Sequence, residues 1–117
     1  MKKLLIGLSA FGLLASLSVN ALAHTALSTS SIEAGTTLSV VPDTLDLTFG
    51  KAVGLAKLDL VNLNTNAIQD LKPARDMAKT HSINLPNLKS GDYAIKWRAI
   101  ASDGHVMTGE IGFTVEN

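Results

Sequence analysis

Three residues of this chain have types that could do chemistry together: His24, Asp103 and His105. Ala21-Leu22-Ala23 puts small residues at the minus-three and minus-one positions relative to His24, the pattern of a signal-peptidase cut. Cut there, His24 becomes the first residue, and its α-amine and imidazole can close a chelate ring on one metal ion. Asp103-Gly104-His105 adds a carboxylate oxygen and a third nitrogen. A nitrogen-rich tetragonal set of this kind suits Cu(II), whereas thiolates or thioethers favour Cu(I) and an all-oxygen set favours Mg(II) or Ca(II). Gly104 lets the backbone turn tightly between the two side chains. The same residues have plainer readings. Asp-Gly is a common turn signal, so the histidine after it could decorate an ordinary strand connection, and His24 could be an incidental residue left by cleavage. Only a fold that joins the two ends makes a site of them.

The elements that must do the joining begin after the leader. Lys2 and Lys3 followed by the apolar run Leu4 to Val19 read as a secretory signal peptide over residues 1–23. That run is short for a membrane span of roughly 20 residues, and no second hydrophobic segment follows. The remaining His24–Asn117 is long enough for one small domain. Without Lys2 and Lys3, the 10 Lys and Arg of the whole chain fall to 8, against 10 Asp and Glu, a formal charge of −2. So weak and scattered a charge gives no footprint for nucleic acid or an anionic membrane. Cysteine is absent, which excludes a disulfide framework, a thiolate zinc site, a thiol nucleophile and a cysteine-linked lipid. There is no Gly-x-Ser-x-Gly elbow and no phosphate-cradling glycine loop. The expected product is a soluble, exported, periplasmic monomer that does not span the membrane.

Gly, Pro, Asn and Asp punctuate the mature chain at short intervals, and apolar and polar residues alternate between them as in half-buried strands. Strands are expected at His24–Ser28, Thr36–Val41, Thr44–Phe49, Ala56–Leu63, Ala67–Leu71, Thr80–Leu85, around Tyr93–Trp97 and over Met107–Val115, with Lys72–Lys79 a loop. Leu45, Leu47 and Phe49 share one face, as do Tyr93, Ile95 and Trp97. Leu88, Gly91 and Tyr93 have the spacing of a tyrosine corner. The pattern predicts an all-β, immunoglobulin-like Greek-key β-sandwich of about seven strands, with a small closed barrel as the alternative. If the first strand runs parallel to the last, as in many such sandwiches, His24 and His105 meet at one pole. His81, among Thr80, Ser82 and Asn84, reads as a surface residue, and Met77 and Met107 are too few and too separated for a thioether site.

The chain resembles the CopC-type periplasmic copper-binding family across its mature length. The resemblance rests on His24-Thr25-Ala26-Leu27, Pro42 to Phe49, Gly91-Asp92-Tyr93 through Trp97-Arg98, Ser102-Asp103-Gly104-His105 and Gly109 to Val115. It implies a Greek-key sandwich and a Cu(II) site made of the His24 amine and ring, Asp103 and His105. It also puts Lys51 where members often carry a glutamate in or near the copper shell, Ile32 where a turn proline is frequent, and Val106 where a proline often follows the motif histidine. The methionine-rich Cu(I) segment of two-site members has no counterpart here.

The leading expectation is therefore a Cu(II)-binding protein, not an enzyme, that sequesters copper or passes it to a membrane partner such as an inner-membrane copper transporter. Two alternatives stand beside it. One is a copper oxygenase using the same N-terminal chelate, which would need an open axial position and a broad substrate surface. The other is a structural sandwich that binds no metal tightly.

Overall fold

The computed structural model describes residues 27–117, all of it strand, turn and loop. The signal-peptide reading and His24 lie outside the described residues. No helix among the described residues is long and apolar enough to cross a membrane.

Seven strands follow in order: β1 (Leu27–Ser30), β2 (Thr37–Leu38), β3 (Thr44–Asn62), β4 (Ile68–Asp70), β5 (Ala78–Asn84), β6 (Gly91–Ala101) and β7 (Val106–Val115). β3 organises the rest. It runs for 19 residues, so the two strands expected on either side of Gly50–Gly54 are one. Its first half is flanked by β1 and β5, with Leu47 opposite both Ser30 and His81. Its second half is flanked by β4 and β6, with Val61 opposite both Ile68 and Ala94. β7 continues beyond β6 through ten paired positions, from Gly91↔Val115 to Ile100↔Val106. The two halves of β3 belong to two portions of sheet that close over one core, an all-β arrangement consistent with the Greek-key sandwich.

The expected parallel partner of the last strand proves to be β2, not β1: Thr37 and Leu38 pair with Thr114 and Val115, at the far end of β7 from the Asp103–His105 loop. β1 runs antiparallel to β3 instead. The parallel pairing of first and last strands, on which a meeting of His24 with His105 was expected to rest, is therefore not formed by β1.

The core is built from the alternating faces. Leu45, Leu47 and Phe49 of β3 meet Ile83 of β5 and, from the other portion, Leu58, Ile95, Trp97, Ile111 and Phe113. Phe49 and Trp97 join the two portions edge to face, with ring centroids 5.3 Å apart, a favoured aromatic geometry. The tyrosine corner is present: Tyr93 Oη donates to the Lys89 carbonyl at 2.8 Å, and its ring stacks on Phe113. A bulge interrupts the second half of β3, since Leu55 pairs with Ala99 and Lys57 with Arg98, leaving Ala56 extra. The bulge resets the alternation, so Leu55 and Leu58 are both buried. Ile32, in the early turn, is also a core residue.

Candidate metal centre

Asp103 and His105 sit on the connection between β6 and β7, and the local sequence dictates its shape. Gly104 N–H donates to the Ala101 carbonyl at 2.9 Å, and Ala101 N–H donates to the His105 carbonyl at 3.0 Å. The result is a three-residue hairpin loop, Ser102-Asp103-Gly104, closed on Ala101 and His105. Such loops need a left-handed residue at their third position, and Gly104 provides it with φ +88°. A Cβ there would meet nothing within 4 Å, so backbone conformation rather than space selects glycine.

Within this loop the aspartate and histidine are already joined. His105 N–H donates to Asp103 Oδ1 at 3.1 Å, and His105 Nδ1 lies 2.8 Å from Asp103 Oδ2. A carboxylate only accepts, so Nδ1 carries the proton and the Nε2 lone pair is left for another partner, the arrangement that orients metal-binding histidines. Both side chains are open to solvent, His105 80% and Asp103 52% exposed. The backbone hydrogen bond from His105 holds the Asp103 carboxyl below its ordinary value of 3.8, assisted by the side-chain hydrogen bond, the His105 charge and, last, the charge of Lys51. Lys51 is thus close enough to be felt electrostatically, yet the ion pairs within 4.0 Å among the described residues are Lys57–Asp59 and Asp103–His105. Lys51 does not pair directly with Asp103.

The register shows what else reaches this pole. β5 occupies one edge of β3 from Thr44 to Val53, so β1 and β6 share the opposite edge. On that edge β1 ends its pairing with Leu27 opposite Phe49, and β6 ends with Ala101 opposite Val53. Leu27, the first described residue of β1, and the chain leaving Ala101 into the Asp103–His105 loop therefore flank the Gly50-Lys51-Ala52 stretch. Among the described residues no three His, Cys, Asp or Glu side chains gather as a metal cluster; Asp103 and His105 form a pair, and His24 lies outside the described residues.

His81 departs from its expected surface position. It is 6% exposed, with Nε2 2.9 Å from the Val53 carbonyl and 3.0 Å from that of Ala78, and its ring lies edge-on to Phe49. The signal was present in the period of two: His81 shares its face with Ile83, while Thr80, Ser82 and Asn84 take the other. Met77 is exposed and Met107 packs against the core.

These features define an all-β domain presenting a solvent-open carboxylate–imidazole pair on a hairpin at one pole. The chain belongs to the CopC domain family, whose sequence pattern matches residues 27–116. No curated protein sequence matches it. Among solved structures it is similar to CopC from Methylosinus trichosporium OB3b, with 29% identity and a TM-score of 0.66, over 80% of this chain and 98% of that one. It is also similar to two structures of PcoC from Escherichia coli, described as a copper resistance protein. One has 25% identity and a TM-score of 0.56 over 77% of this chain and 98% of that one. The other, described as methionine-rich, has 25% identity and a TM-score of 0.53 over 80% and 100%.

Proposed function

We propose that this protein binds Cu(II) as cargo in the periplasm, after removal of residues 1–23, through the His24 amine and imidazole, Asp103 and His105. The observation that carries the reading is the Asp103–His105 pair, with Nδ1 and Oδ2 2.8 Å apart on an exposed loop. The donors fit the ion: nitrogen and carboxylate oxygen without thiolate are what a tetragonal cupric centre selects. Nε2 of His105 is the free nitrogen, and each Asp103 oxygen keeps a lone pair beyond its hydrogen bond. The shared edge of β3 supports the inclusion of His24. His24 stands three positions before Leu27, a span of up to about 10 Å when extended, and Leu27 pairs with Phe49 beside the stretch that the Asp103–His105 loop adjoins.

The protein does no chemistry on the ion in this reading; it sequesters copper or passes it as a monomer to a membrane partner such as an inner-membrane transporter. The oxygenase alternative finds no support in the comparisons, where the Escherichia coli relatives are described as copper resistance proteins. Mass spectrometry of the exported protein under non-denaturing conditions tests the proposal. The expected result is a chain beginning at His24 that gains the mass of one copper ion; a chain beginning elsewhere, or one that gains no copper, would overturn it.

A further inference from the structure

The buried imidazole of His81 has no part in the site just described, yet its position bears on it. β5 pairs with β3 continuously from Thr44↔Asn84 to Thr48↔Thr80, and then not again until Val53↔Ala78. Four residues of β3, Phe49 to Ala52, thus lie against one of β5, Lys79, and have no partner on that edge. The His81 ring spans this break. Its Nε2 reaches both the Val53 and the Ala78 carbonyls, at 2.9 and 3.0 Å, joining the two residues that resume the ladder. Carbonyls only accept, so Nε2 carries the proton and is shared between them. The ring is held from the other side by Phe49, edge to face at 5.9 Å, and Phe49 is in turn held by Trp97.

Val53 is the anchor of the loop as well. Its partner on the opposite edge is Ala101, whose N–H and carbonyl both close the hairpin that carries Asp103 and His105. The unpaired residues Phe49 to Ala52 include Lys51, the charge felt by Asp103, and Phe49 faces Leu27. Leu27 of β1 and Ala101 of β6 thus both pair at the margins of the break that His81 bridges.

We propose that His81 is a positioning residue for the metal loop: its Nε2–H clamps the Val53 and Ala78 carbonyls, fixing the crossing from which Ala101 and the Asp103–His105 hairpin hang. The inference rests on the copper reading for its consequence but not for its geometry, and two readouts separate them. Three variants are compared with the wild type. His81→Leu keeps the bulk and removes the donor, His81→Gln restores an amide N–H at about the reach of Nε2, and His81→Asn is polar but too short to bridge both carbonyls. In the metal-free protein, amide exchange at Ala101 and Gly104 should quicken about tenfold in His81→Leu and return toward wild type in His81→Gln. Cu(II) affinity should fall by about tenfold, the lower end for loss of a residue that orients ligands, while the nitrogen splitting in the copper EPR spectrum stays unchanged because the ligands are the same. If His81→Leu does not fold, His81→Asn carries the comparison. Wild-type exchange at Ala101 and Gly104 in the donor-less variant would overturn the clamp, and a changed nitrogen pattern would make His81 a ligand instead. A wild-type protein that takes up no copper would sink the copper reading while leaving the exchange result to decide the clamp.

Discussion

Gly109→Ala should destabilise the domain sharply, because the site's scaffold depends on a tryptophan lying flat over a glycine. Trp97 is 4% exposed and pairs with Gly109 across β6 and β7. A Cβ on Gly109 would stand 2.5 Å from the indole Cε2 and 2.7 Å from Nε1. Carbon atoms rest at about 3.5–4.0 Å, so the ring must retreat by roughly 1 Å. Its retreat meets Phe49, with centroids 5.3 Å apart, inside a buried cluster that also holds Leu58, Ile95 and Ile111. The contact is a rigid ring rather than a flexible chain end, so the cost belongs in the upper part of the usual overpacking range, about 2–3 kcal/mol. For a domain of this size each kcal/mol moves the melting temperature by about 4–8 °C, giving a fall of roughly 10–20 °C. Urea unfolding followed by the fluorescence of the single tryptophan measures it directly. A loss under about 0.5 kcal/mol would refute the reasoning, since Trp97 could then move without disturbing the join between the two portions of sheet.

Two further perturbations probe the pole. The Asp103 carboxyl is held below its ordinary 3.8 chiefly by the His105 backbone hydrogen bond, so the turn's contribution to stability is complete above pH 3.8 and fades as pH falls through the lowered value. Carbon-detected NMR should show Asp103 titrating below 3.8, and His105→Ala, which keeps the backbone N–H but removes the ring, should raise it part of the way back; a titration at or above 3.8 in the native protein would contradict the hydrogen-bonded loop. Lys51→Glu reverses the charge felt by Asp103 and should tighten Cu(II) binding by roughly three- to tenfold at low salt, with the gain shrinking at physiological ionic strength as exposed charges are screened. Unchanged or weaker binding, measured by chelator competition, would show that Lys51 does not face the ion.

The sequence exposed the parts of this structure that obey a period and concealed those set by pairing partners. Tyr93, Ile95 and Trp97 fall on one face by simple alternation and are buried together; the tyrosine corner and the glycine-dependent turn at Gly104 follow from local rules that need no neighbours. The continuity of β3 through Gly50–Gly54 was hidden because Gly50, Lys51 and Ala52 pair with no strand on either edge and are carried between the ladders that end at Phe49 and resume at Val53. Ala56 has no mark of a bulge in its type. Val61 alternates with the polar face and is nonetheless 7% exposed, lying where Ile68 of β4 pairs beside it. β2 shrinks to two residues, with Val40 left 77% exposed, because its only partner among the described residues is the tip of β7. For the site, Asp103 and His105 could be singled out by type and spacing, but their mutual hydrogen bond could not. The role of His81 was masked by polar neighbours that belong to the other face.

In the proposed reading the metal site is completed only when His24 becomes the chain's first residue. Competition against a chelator for Cu(II), comparing protein that begins at His24 with protein carrying one additional residue before it, tests this most directly. The extension removes the free amine from the chelate ring while leaving Asp103, His105 and the fold untouched. The expected result is a large loss of affinity in the extended form, with a changed copper EPR spectrum. Equal affinity in the two forms would contradict it.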